Sequence, residues 1–185
     1  MRRILIAIGI VVGILALVIA VAGRPIAFAA VTRLTARKFP DVRWINGDEL
    51  ERWLADTMRA RPLVLDARTD EEYGVSHLQG AARIDPYFPP LDRLAASRDT
   101  PIVVYSSVSY RSARVADRLM RMGFTRVYNL DGSLFAWANE GRVMFAGAAP
   151  TTRVHPYDSR WGLLLTPQHR ADGEIEPIAR RSAAP

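Results

Sequence analysis

The chain is 185 residues long, is 49% hydrophobic, contains no cysteine and carries a formal net charge of +6. That length suits one ordinary domain with attachments, and the apolar share is enough for a packed core. The missing cysteine excludes disulfides, thiolate metal sites and thiol catalysis together, and fits either side of a membrane. The positive charge does not indicate a nucleic-acid partner. Arg2, Arg3, Arg24, Arg33, Arg37 and Lys38 all precede the first acidic residue, Asp41, and the other 19 basic residues are matched by 19 acidic ones. The excess flanks an N-terminal apolar block and belongs with lipid headgroups and topology.

Residues 4–23, ILIAIGIVVGILALVIAVAG, hold no charged or strongly polar side chain. At ~1.5 Å per residue the block is about 30 Å long, the thickness of a bilayer's hydrocarbon core. A soluble helix of that length would show a polar stripe. Residues 1–23 are therefore expected to be a transmembrane anchor, with residues 1–38 in contact with membrane lipid. The competing reading is a signal peptide cleaved near Ala27-Phe28-Ala29, but the apolar run exceeds the roughly 7–15 residues of such a core. The flanking charges leave the side open. The residues nearest the span favour a cytoplasmic domain, whereas the signal-like start favours a periplasmic one.

Residues 24–41 read as a basic connector. A regular alternation follows over 42–142. VRWI (42–45) predicts a strand, and Asn46 or Asp48 caps a helix carrying Leu50, Trp53 and Leu54. PLVLDAR (62–68) has the continuous apolar run of a strand covered on both faces. Thr69 and Glu72 form a capping box for a short helix. A strand over 81–86, a loop over 87–90 and a short helix over 91–97 come next. PIVVY (101–105) is a second buried strand. A helix is predicted over 112–122, with Val115, Leu119 and Met122 inward, Arg114, Arg118 and Arg121 solvated, and Gly123 as its stop. A strand over 126–130 and a helix over 133–141 complete the pattern. Strands alternating with helices imply an α/β fold, a parallel sheet with helices on both faces, here preceded by one transmembrane helix. Ligands bind such sheets beyond the carboxyl ends of the strands, where the loop after Tyr105 lies. From residue 143 the periodicity dissolves. Tyr157, Trp161 and Leu163 to Leu165 make this extension too apolar for a wholly disordered tail, so it either packs back on the domain or docks a partner. The last dozen residues are expected to be disordered.

Two stretches carry a family signature. LVLDARTDEEYGVSHLQGAARID places Asp66-x-Arg68 at a strand end, followed by Ser76-His77-Leu78-Gln79-Gly80-Ala81. IVVYSSVSYRSARVADRLMRMGFTRVYNLDGSLFAW contains a six-residue loop, its helix, a Gly-Phe turn and a closing Gly132-Ser133…Trp137 element. In order and spacing, residues 62–141 resemble a rhodanese homology domain. The resemblance implies a catalytic loop running from a cysteine to an arginine, here Ser106, Ser107, Val108, Ser109, Tyr110 and Arg111. It implies main-chain donors from this loop, Arg111 closing an anion cradle, and Ser112 beginning the next helix. It implies that Asp66, Arg68 and His77 support the fold.

Family members carry sulfane sulfur on that cysteine as a persulfide. The cradle lowers the thiol pKa, and the thiolate attacks a sulfur–sulfur bond. Serine is hardly ionised at neutral pH and makes no usable sulfur carrier. Ser106 therefore stands in the nucleophile's place with no catalytic residue expected. Serine catalysis would need a base, and His77, His155 and His169 are the only histidines. Their spacing suggests no metal site, and no cofactor is implied. Ser109 and Ser133 stand where the family commonly has glycine, and Ser76 and Gln79 also depart from its pattern. The expectation is a catalytically inactive module that binds a small oxyanion or a protein at residues 106–111. The alternative is a sulfurtransferase using an unusual nucleophile or a partner's cysteine. A bare scaffold is the third reading.

Overall fold

A computed structural model describes residues 23–171 of the chain. The apolar block expected to span a membrane lies outside the described residues except for its last position, as does the terminal dozen. Among the described residues, no helix is long and apolar enough to cross a membrane.

Five parallel strands form the sheet: β1 (Arg43–Ile45), β2 (Leu63–Asp66), β3 (Ala82–Arg83), β4 (Ile102–Tyr105) and β5 (Val127–Leu130), in the order β1-β5-β4-β2-β3. All four residues of β4 are buried, which is why its run is continuously apolar. Side chains alternate across the strand. Val103 and Tyr105 join one core cluster with Val64, Leu130 and Phe135, while Ile102 and Val104 join another with Leu65, Val115 and Leu119. Full burial of such a side chain contributes about 1.5–3 kcal/mol, so two facing cores are the main source of stability.

The first core is covered by α2 (Gly47–Ala55) and α5 (Ser133–Asn139), the second by α4 (Tyr110–Arg121). The Asn46–Glu49 box closes α2 and the Thr69–Glu72 box closes α3 (Asp70–Val75), with both reciprocal bonds present in each. Residues 91–97 do not make the expected helix. Only a single 3₁₀ turn, Leu91–Arg93, forms there. It has no side-chain cap, and one short turn cannot recover its nucleation cost. On α4, Arg118 and Arg121 are exposed as expected, but Arg114 is partly buried, donates to the Pro86 carbonyl and lies over the Tyr87 ring.

Residues 23–38, read from the sequence as a connector, form a helix, α1. Phe28 and Val31 pack on the first core, and Thr35 and Phe39 are buried. These positions recur at helical spacing, so α1 lays one face along the domain. The region after residue 143 also has structure. Strands β6 (Met144–Ala146) and β7 (Ala149–Thr151) form a hairpin turned at Gly147, whose φ is +58°. Val154 and Leu165 are fully buried in the first core, so the described part of the extension, up to residue 171, packs back over the domain.

Candidate functional site

The site lies at the carboxyl end of β4, where the chain leaves the sheet for α4. The loop is shorter than the sequence suggests, because Tyr110 and Arg111 already belong, with Ser112, to the first turn of α4. Two N–H groups of α5 hold the loop start: Leu134 donates to the Ser106 carbonyl at 3.1 Å and Phe135 to the Ser107 carbonyl at 3.2 Å. The Ser106 N–H donates to the Ser133 hydroxyl at 3.1 Å.

Ser109 and Ser133 have φ of +77° and +50°, the left-handed region that favours glycine. These are the two positions where serine replaces the family's usual glycine, and hydroxyl bonds accompany the change. The Ser109 hydroxyl donates to the Leu130 carbonyl at 2.9 Å, and the Ser133 Oγ lies 3.2 Å from both that carbonyl and the Ser109 Oγ. Asn129 Nδ2 donates to the Ser109 carbonyl at 3.1 Å. Both serines are buried, and hydroxyl bonds replace the freedom a glycine would have had.

Ser106 is 1% exposed, and its Oγ lies 3.2 Å from the Ser112 Oγ. Its hydroxyl partner is therefore another hydroxyl. The three imidazoles are engaged elsewhere. His77 Nδ1 sits 3.2 Å from the Tyr73 carbonyl with its ring stacked on Tyr73. His155 Nδ1 accepts the Tyr157 N–H at 3.0 Å, and burial holds this ring below its usual pKa. His169 Nδ1 lies 2.8 Å from the Thr152 carbonyl. Among the described residues, no group of three acidic or histidine side chains is arranged to hold a metal ion.

Arg111 reaches the loop but is already paired. Its Nη1 and Nη2 donate to the two Glu72 oxygens at 2.8 and 2.6 Å, and Nη2 also donates to the Ser107 Oγ at 2.9 Å. Ser107 in turn donates to Glu72 at 2.8 Å. Burial alone would raise the Glu72 pKa, but the Arg111 hydrogen bonds and charge outweigh it and lower it to about 2. The guanidinium face lies over the Tyr157 ring, 4.6 Å from its centroid.

Asp66, Arg68 and His77 surround the base of the site. Arg68 is fully buried and binds Asp66 through two bonds, 2.8 and 2.6 Å long, and also reaches the Ser76 carbonyl. His77 forms a main-chain bridge with Phe145 of the hairpin. The Tyr105 hydroxyl accepts the Leu78 N–H at 3.0 Å.

A cavity of about 480 Å³ opens above the loop. Its floor is Ser106, Ser107, Val108 and Arg111. Its walls are Val31, Leu34, Thr35 and Lys38 of α1 and Tyr157 and Trp161 of the extension. Lys38 Nζ donates to the Tyr110 hydroxyl at 2.6 Å. The sequence reading did not assign the α1 residues or Glu72 to the site. The helical spacing of Phe28, Val31, Thr35 and Phe39 was the available signal for α1. The sequence around Glu72 marks it as a helix cap, and its pairing with Arg111, 39 positions away, leaves no local pattern.

The family model of the rhodanese-like domain matches residues 46–140, just over half of the chain. The chain belongs to the rhodanese-like domain family. A sulfurtransferase of Allochromatium vinosum is 31% identical over 105 residues, covering 57% of this chain and 96% of that protein. The tRNA uridine(34) hydroxylase of Chlamydia trachomatis is 31% identical over 141 residues, 71% of this chain, and this chain spans only 41% of that protein. The solution structure of a rhodanese-like domain from Anabaena sp. superposes with a TM-score of 0.50 at 24% identity, over 55% of this chain and 77% of that one, a likeness of fold. In this rhodanese-like chain the position the resemblance gives to the nucleophile is Ser106, and α1 and residues 152–171 lie beyond the matched segment.

Proposed function

We propose that this protein is a membrane-anchored rhodanese-like module that binds a ligand at its active-site loop without transferring sulfur. The observation that carries this reading is the state of Ser106. It is a buried hydroxyl whose hydrogen-bond partner is the Ser112 hydroxyl and not an imidazole, and the Nδ1 of each histidine faces a main-chain group. A hydroxyl needs an adjacent base to become a nucleophile, and no oxygen-linked species serves as a persulfide. The loop and the cavity above it nonetheless remain a formed concave site. Anchoring rests on the uncharged run over residues 4–23 and the basic residues beside it. No nucleic-acid partner is invoked.

A second reading, sulfur transfer through a cysteine lent by a partner, is favoured by the near full-length likeness to the Allochromatium vinosum sulfurtransferase. Sulfur transfer from thiosulfate to cyanide, followed as thiocyanate with the full chain in detergent, tests whether the chain turns over by itself. The natural chain is expected to give no turnover above the protein-free rate, and clear turnover would overturn the proposal. Ser106→Cys in the same assay reports whether the loop still accepts a sulfur anion once a thiolate is restored.

A further inference from the structure

The cavity over the loop has a composition that selects among ligands. The inference rests on the binding reading above and names the ligand. At about 480 Å³ the cavity is large for a free oxyanion, since a water-sized group needs only ~30 Å³. Most of what faces the space is apolar: Val31 and Leu34 from one side, Val108 below, Tyr157 and Trp161 from the other. The Leu34 side chain is 64% exposed, an apolar group left uncovered at the cavity.

Two cations line the cavity, Arg111 and Lys38. Arg111 is held by both oxygens of an ionised Glu72 and covered by Tyr157, so the floor is electrically balanced. A small dianion at that floor would lose its hydration beside a guanidinium whose charge Glu72 already balances, which is unfavourable. Lys38 differs. Its Nζ bonds only the neutral Tyr110 hydroxyl and pairs with no carboxylate among the described residues. The site therefore offers one uncompensated positive charge beside an apolar chamber.

We propose that the cavity binds a monoanionic amphiphile, its apolar body against Val31, Leu34, Tyr157 and Trp161 and its anionic head at Lys38. Ligands with one head and a growing body separate this from an oxyanion site. Butane-, hexane- and octanesulfonate are titrated calorimetrically against the full chain in phosphatidylcholine nanodiscs, with empty nanodiscs as the blank. Affinity is expected to rise roughly fourfold per methylene as each is buried. Lys38→Gln is expected to weaken all three by up to about fivefold without changing that slope. Trp161→Ala is expected to flatten the slope. Displacement of octanesulfonate by an equal concentration of thiosulfate would overturn the ligand class and leave the binding reading intact. A flat slope, or no saturable binding of any sulfonate, would also overturn it. Thiocyanate production by the natural chain would instead remove the binding-only reading, whatever the titration shows. Discs containing phosphatidylglycerol then separate the sources. A bilayer amphiphile in the cavity raises the apparent octanesulfonate Kd, a free one leaves it unchanged, and both keep the ligand class.

Discussion

Ser109 and Ser133 hold left-handed backbone angles at a cost of order 1–3 kcal/mol each, and each returns part of it through buried hydroxyl bonds worth about 0.5–1.5 kcal/mol. Removing the hydroxyl and removing the strain are separable. Ser109→Ala keeps the strained angle and loses the bonds, so it is expected to destabilise by about 1–2 kcal/mol. Ser109→Gly loses the same bonds but relieves the strain, and is expected to lie within about 1 kcal/mol of the natural protein. Urea denaturation of both variants orders them. Glu72 carries the second residue-scale expectation. Its folded pKa of about 2 lies below the usual 4.5, so the stability it contributes is fully present above about pH 4.5 and is lost as pH falls toward 2. Glu72→Gln leaves the largely buried Arg111 without its countercharge and is expected to cost about 2–4 kcal/mol near neutrality, below the full buried-pair penalty because Arg111 borders the cavity. It should also shrink the acid-dependent loss of stability between pH 5 and 2, measured as the shift of the urea midpoint.

α5 is a short helix whose position depends on its first residues. Its start at Gly132 has φ of +62°, and a Cβ there would stand 2.3 Å from the Ala136 Cβ. Gly132→Ala is expected to destabilise by more than about 2 kcal/mol, because strain and overlap act together. It should also disturb the loop, since Leu134 and Phe135 of α5 hold the carbonyls of Ser106 and Ser107. Thermal unfolding, with the amide NMR signals of residues 106–109 as a second readout, checks both effects. At this scale much of the fold was legible. β2 and β4 announced themselves by continuous apolar runs, and the Asn46–Glu49 and Thr69–Glu72 boxes by their spacing. What escaped was decided by contacts far apart in the chain. α1 looked like a charged connector because its basic residues stand out more than Phe28, Val31 and Thr35, the positions that meet the core. The hairpin at Gly147 is pinned by the bridge between His77 and Phe145, a pairing that no local periodicity encodes.

The molecule as a whole places the loop at the floor of a chamber walled by α1 and residues 157–161. The family signature covers the loop, Asp66, Arg68 and His77, so the site's floor could be read from the sequence. Its walls, α1 and residues 157–161, lie outside that signature and became visible only in the folded arrangement. Because α1 continues from the apolar block of residues 4–23, the full chain is expected to stay with membranes after carbonate extraction and to be released on detergent addition. Recovery in the soluble fraction would remove the anchor. Ser106 keeps a binding loop from carrying sulfur, and intact mass spectrometry of the natural chain after incubation with thiosulfate reads this out. An unchanged mass is expected. A gain of one sulfur atom on the natural chain would contradict it.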